Sequence, residues 1–330
     1  MFGGRPEILI WLGLTVLVSL ADPENVDAQN QEPRKQSAAD LCPPTSAQSE
    51  TIAIATDDLP PKPRTARPGK LEFKKEGGVV YRKTNEFELQ CDVYIPKGEG
   101  PYPAILAVHG GAWRRGSKFI MLRHAWKMAQ AGYVVVAINY RHAPEYRFPA
   151  QIHDCKHAVR WMRAKAAEYK IDPERIGGYG YSAGGHLVSL LGTTDASDGL
   201  EGEIATGFEQ FDTRIKCVAA GGSPCEFSWI QDDSPVLSYW LGGTRNQNTS
   251  VYFVASPTTY VTPDDPPFFL YHGDGDWLVP VDSSQKLHRR LLETQVPSQH
   301  FIAKSSGHVS TFSDLTWMDK AIEFFDSNLK

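Results

Sequence analysis

Residues 176–187 read Ile176-Gly-Gly-Tyr-Gly-Tyr-Ser-Ala-Gly-Gly-His-Leu187. The first half suits a buried strand, and the second passes at once into a helical pattern running to Leu191. Between them stands Gly180-x-Ser182-x-Gly184. A serine on so tight a strand-to-helix turn needs small neighbours to let the backbone through, and its hydroxyl is then held clear of the sheet. The stretch therefore predicts a nucleophile elbow. Gly-x-Ser-x-Gly also recurs by chance, so the weight falls on what surrounds it.

Downstream of about Leu71 the chain alternates strand and helix patterns. Val79–Thr84 and Glu88–Ile95 read as an antiparallel hairpin, the second with the period-2 alternation of a half-buried strand. Short apolar runs at Ala104–Val108, Tyr133–Ile138, Ile176–Tyr181, Ile215–Ala220, Phe268–Tyr271 and His300–Ala303 suit strands buried on both faces. Helical patterns at Met121–Ala131, Ala150–Tyr169, Ala183–Leu191, Ser283–Glu293 and Thr311–Asn328 lie between or after them. This alternation predicts an α/β fold: one mostly parallel central sheet with helices on both faces. Residues 193–214 and 227–260 have weaker periodicity and are expected to form a small cap from loop insertions.

Three further segments carry chemistry. His109-Gly-Gly-Ala-Trp113 follows a strand, and its glycines let successive N–H groups turn toward one point. Gly110, Gly111 and Ala112, with Ala183 after the serine, are the expected oxyanion hole. Phe268–Pro280 is a buried strand running into a turn with two aspartates. Asp276 is the expected acid of a triad and Asp274 the alternative. Ser305-Ser-Gly-His308 places a histidine on a loop between the last strand and the last helix, where it can relay the serine's proton. His109, His142, His153, His186 and His272 are assigned local structural roles. The order Ser182, Asp276, His308 is that of one fold class among several that carry such triads.

With these residues in view, the chain from about Phe87 onward resembles the α/β-hydrolase esterases similar to hormone-sensitive lipase and to bacterial acetyl- and feruloyl-esterase-like proteins. The resemblance rests on His109-Gly-Gly-Ala-Trp, Tyr140-Arg-His-Ala-Pro-Glu145 with Phe148-Pro-Ala, Gly180-Tyr-Ser-Ala-Gly-Gly, Ala255-Ser-Pro, Asp265-Pro-Pro-Phe, His272-Gly-Asp-Gly-Asp276 and Gly307-His308. It implies the α/β-hydrolase fold and a serine hydrolase that uses no metal or other cofactor. It also implies that Tyr140–Pro149 and Asp154 form a structural belt beneath the site. Three departures stand out: Ala112 where many relatives have a third glycine, Val309 where glycine is common, and the unusual Ser223-Pro-Cys-Glu226-Phe.

Composition sets the outer limits. The 330 residues carry a net charge of −5, with no basic stripe for nucleic acid. Arg5 followed by the uncharged run Ile8–Leu20, too short to span a bilayer comfortably, reads as a signal peptide ending near Ala21 or Ala28. The expected organisation is a signal peptide over residues 1–28, a flexible linker over 29–70 and a catalytic domain over 71–330. The mature form would be secreted or periplasmic and would keep no membrane span. Of five cysteines, Cys217 and Cys225 flank a turn and are a candidate pair. Asn248-Thr-Ser is a glycosylation sequon.

The expected activity is an exported serine carboxylesterase on short-acyl esters, small-molecule or glycan-linked, the latter carrying acetyl or feruloyl groups. Trp113, Trp229, Tyr239 and Trp240 are the expected substrate contacts, with cap packing as their alternative role. An aryl-formamidase would keep the same triad. A non-catalytic binding protein on this scaffold would have no need of Ser182 or His308.

Overall fold

The computed structural model describes residues 69–227 and 234–330. The expectations for the signal peptide, nearly all of the linker, Cys42 and Trp229 lie outside them. The described residues build an eight-stranded sheet in the spatial order β1-β2-β4-β3-β5-β6-β7-β8. The strands are β1 (Phe73–Lys83), β2 (Glu88–Pro96), β3 (Tyr102–Val108), β4 (Val134–Ile138), β5 (Ile171–Tyr181), β6 (Val218–Gly221), β7 (Phe268–Gly273) and β8 (Ser298–Ala303). β1 pairs antiparallel with β2, and β2 with β4; every other pairing is parallel.

The strand patterns follow from burial on both faces. In β3, Ala104, Leu106 and Val108 join one apolar cluster while Ile105 and Ala107 join the other. The first cluster is covered by α2 (Ala150–Ala164), α4 (Ala183–Thr193) and α7 (Val281–Glu293) through Ile152, Leu187 and Leu287. The second is covered by α1 (Leu122–Gln130) and α9 (Thr316–Leu329) through Met128 and Phe325. This is the three-layer α/β-hydrolase architecture expected from the sequence. The chain leaves β3 for β4 on one side and returns to β5 on the other, so the strand order reverses beside β3. Ligand sites in open α/β sheets lie at the carboxyl edge at such a reversal.

Two expected helices are each divided. Residues 150–169 form α2 and then the short α3 (Ala166–Tyr169), separated by Lys165 at φ −101° and ψ 14°. Residues 308–329 form α8 (His308–Ser313) and α9, because Asp314 Oδ1 accepts from the Thr316 backbone N–H and hydroxyl at 3.0 and 2.7 Å. Such local side-chain bonding competes with helix continuation. The weakly periodic segment before Tyr260 holds α5 (Pro235–Leu241) and α6 (Thr249–Val254).

The suggested Cys217–Cys225 pair is not formed: Cys91, Cys155, Cys217 and Cys225 are all free and buried. The reason is topological. Cys217 belongs to the cluster on one face of the sheet and Cys225 to the cluster on the other. No helix among the described residues is long and apolar enough to cross a membrane.

Candidate active site

Ser182 joins β5 to α4 at φ 58° and ψ −127°, backbone space that a residue with a Cβ occupies only under strain. The turn is held from both sides. The Ser182 N–H donates to Gly221 O at 2.8 Å, and Ser182 O accepts from the His186 N–H at 2.9 Å. Gly180 is obligatory here, since a Cβ on it would lie 2.3 Å from Gly184 O. The elbow is thus built by close backbone approach rather than by side chains.

The turn after β3 lies directly against the serine. A Cβ on Gly110 would fall 3.3 Å from Ser182 Cβ and 2.9 Å from Tyr181 O. Gly111, Ala112 and Trp113 follow with φ of 130°, 53° and 58°. Ala112 therefore holds left-handed backbone in spite of its Cβ, which costs roughly 1–2 kcal/mol. Among the described residues the N–H groups of Gly110, Gly111, Ala112 and Ala183 have no protein acceptor. They are free to donate to something that enters from outside.

Asp276 and His308 meet at the same edge. His308 Nδ1 lies 2.6 Å from Asp276 Oδ2. Oδ1 accepts the backbone N–H groups of Leu278 at 3.0 Å and Val279 at 2.9 Å. Burial by itself would raise this carboxyl, but the donors from His272, His308 and Val279 prevail and hold it well below the usual carboxylate range. It is an anion at any working pH. The Tyr181 hydroxyl donates to His308 O at 2.7 Å, tying the residue before Ser182 to the histidine's backbone. Asp274, the alternative acid, faces outward and pairs with Lys304 at 3.8 Å.

Two of the expected substrate contacts are corrected. Trp113 and Trp240 are buried and stacked on each other, 3.8 Å between ring centroids and 3° between planes. Trp113 Nε1 donates to His186 Nδ1 at 3.2 Å, and Trp240 Nε1 to Gln151 Oε1 at 2.9 Å. With one face of each ring covered by the other and both indole N–H groups engaged, these rings bind α5 to the turn after β3. His186 Nε2 in turn donates to Ala255 O at 2.7 Å. Burial pushes His186 down to about 4, so it serves as a neutral strut. Tyr239 is exposed, with the Arg114 guanidinium 5.5 Å from its ring centre.

The belt beneath the site centres on buried Asp154, which accepts from Arg82 at 2.6 Å and from the Arg141 backbone N–H at 2.9 Å. His109 stacks on Tyr140 at 4.3 Å, and burial holds it down to about 4. Sequence reasoning missed two features. His272 Nε2 lies 3.2 Å from Asp276 Oδ2, for which the spacing of four residues was the available signal. Trp277, next to Asp276, is 83% exposed, and nothing in the sequence marks it as such.

Comparison with known proteins agrees with this architecture. The BD-FAE family model matches residues 91–291. A "Probable carboxylic ester hydrolase LipM" of Mycobacterium tuberculosis is 36% identical over 56% of this chain and 44% of its own. The chain spans about half the length of the curated relatives it matches. Among solved structures, a "Truncated form of carbohydrate esterase from gut microbiota" superposes with a TM-score of 0.69 at 24% identity, over 81% of this chain and 99% of that one. A "Bifunctional GH43-CE" of Bacteroides eggerthii gives 0.72 at 27% identity, over 78% and 35%. With the family model covering more than half of its length, and with the sheet order and elbow described above, the chain belongs to the BD-FAE family of α/β-hydrolases.

Proposed function

We propose that the protein is an exported serine carboxylesterase acting on short-acyl esters, including acetyl or feruloyl groups carried by a glycan. The observation that carries the catalytic part is the 2.6 Å Asp276–His308 hydrogen bond at the sheet edge that holds Ser182. Ser182 Oγ attacks the ester carbonyl as His308 takes its proton. The oxyanion so formed accepts from the N–H groups of Gly110, Gly111, Ala112 and Ala183, each such donor being worth roughly 3–4 kcal/mol. His308 then returns the proton to the departing alkoxide, which leaves as the alcohol. Water, deprotonated by the same imidazole, releases the acid and restores the serine. Asp276 stays charged throughout and stabilises the imidazolium that forms.

Relatives named as esterases support ester chemistry, and the uncharged run near the N-terminus supports export. Support for a glycan comes from Trp277, an aromatic face open to solvent one residue from Asp276. Kinetics on p-nitrophenyl esters from acetate to decanoate, beside acetylated xylan and methyl ferulate, test the substrate range. Activity falling with chain length is expected; activity on long chains with none on acetate would contradict it. Trp277→Ala is expected to raise KM on acetylated xylo-oligosaccharides while p-nitrophenyl acetate is unaffected. An equal effect on both would remove the glycan part.

A further inference from the structure

Asp276 carries a second histidine. Val279 O, which can only accept, lies 2.9 Å from His272 Nε2, so that nitrogen bears a proton, and Asp276 Oδ2 lies 3.2 Å from the same atom. His272 Nδ1 is then the acceptor nitrogen, and the Ser284 hydroxyl stands 2.8 Å from it. Ser284 Oγ is also 2.9 Å from His300 Nε2. Once Ser284 has spent its one proton on His272, His300 must donate to Ser284. The hydrogen bonds run one way, from His300 through Ser284 and His272 to Val279 O, and the same His272 Nε2 stands 3.2 Å from the Asp276 carboxylate, which His308 meets from the other side. The competing acceptor for the Ser284 proton, Val281 O at 3.0 Å, would leave His272 Nδ1 unsatisfied. His272 is fully buried and Ser284 nearly so, so neither has water as a substitute partner.

We propose that His272, locked by Ser284, is a positioning residue that shares Asp276 Oδ2 with His308 and fixes the carboxylate's plane toward it. The chain joins α7, β7 and β8 to the loop that carries the acid, so the carboxylate is aimed by three elements rather than by its own turn alone. A carboxylate with its backbone-facing oxygen saturated and its other oxygen shared has one remaining freedom, rotation about its Cβ–Cγ bond. The His272 contact at 3.2 Å restricts it. This role rests on the esterase reading above, with Asp276 as the acid of the triad.

The test uses the full chain and three variants. His272→Leu removes the donor, His272→Gln keeps an N–H near the Nε2 position, and Ser284→Ala frees the imidazole. Two readouts apply: kcat and KM on p-nitrophenyl acetate, and the downfield proton resonance of His308 Nδ1–H, assigned by its loss in His308→Gln. In His272→Leu kcat is expected to fall about tenfold, with KM unchanged and the resonance shifted or lost. His272→Gln should restore most of both, and Ser284→Ala should show a smaller change in the same direction. Equal losses in the Leu and Gln variants, or a resonance and kcat per folded molecule indifferent to all three, would overturn the proposal. If His272→Leu does not fold, Ser284→Ala decides between the same outcomes. The resonance is read without substrate. A wild type that turns over no ester but shows it would count against the esterase reading alone, and the variants would still test the positioning.

Discussion

Trp113 lies face to face on Trp240, with 3.8 Å between ring centroids, so the turn beside Ser182 is clamped to α5 by two buried indoles. This fixes what the pair does. Trp240→Ala is expected to destabilise the protein by about 3–5 kcal/mol, the range for deleting a buried aromatic ring. KM for a small ester should change little in the folded fraction. Urea unfolding together with steady-state kinetics checks this; a raised KM with an unchanged midpoint would return Trp240 to the substrate.

The two aspartates of the turn after β7 are separable by experiment. Asp276→Asn is expected to lower kcat about 10⁴-fold, because the carboxylate that orients and stabilises His308 becomes a neutral amide. Asp274→Asn should be nearly silent, since its partner Lys304 is exposed and surface pairs of this kind contribute little. Parallel kinetics on the two variants decide the assignment.

The periodic features of the sequence were enough to anticipate the sheet, the helices on its two faces and the elbow at Ser182. Each depends on local pattern: period 2 in β2, short apolar runs in β3 to β8, small residues around the serine. What escaped depends on which side of the sheet a residue lies and what crosses to meet it. Cys217 and Cys225 look pairable across a short turn, yet the sheet stands between them. Trp113 and Trp240 are far apart in the chain, and only the docking of α5 shows that each covers the other. His272 reads as the end of a buried strand; its contact with Asp276 shows only once the turn after β7 has folded back.

Gly110→Ala is expected to cost activity out of proportion to stability. The new methyl would stand 2.9 Å from Tyr181 O and 3.3 Å from Ser182 Cβ, so the turn must retreat from the serine. Displacing an oxyanion donor lowers kcat by about 10²–10³-fold. Circular dichroism melts with kcat measured on the same preparation check this; a lost fold with normal kcat in the remaining folded enzyme would contradict it.

Stability should decline early on acidification. Burial holds His109 and His186 down to about 4, below the ordinary histidine value. Below about pH 6.5 the unfolded chain therefore binds protons that the native state refuses. The loss grows as pH falls toward 4, by about 1.4 kcal/mol per pH unit for each such group. Asp276, depressed in the native state, adds stability above the ordinary carboxylate range and loses it only at more acidic pH. Urea midpoints at pH 7.5, 6 and 5 measure the slope. A flat profile across that interval would show that these histidines already take protons in the folded state.

The most direct test is Ser182→Ala beside the wild type, with p-nitrophenyl acetate hydrolysis and fluorophosphonate labelling followed on both. Turnover and label on the wild type, with turnover reduced at least about 10⁴-fold and no label on the variant, are the predicted results. Hydrolysis that persists in Ser182→Ala, or a wild type that neither turns over nor takes the label, would contradict a serine esterase built on Ser182, His308 and Asp276.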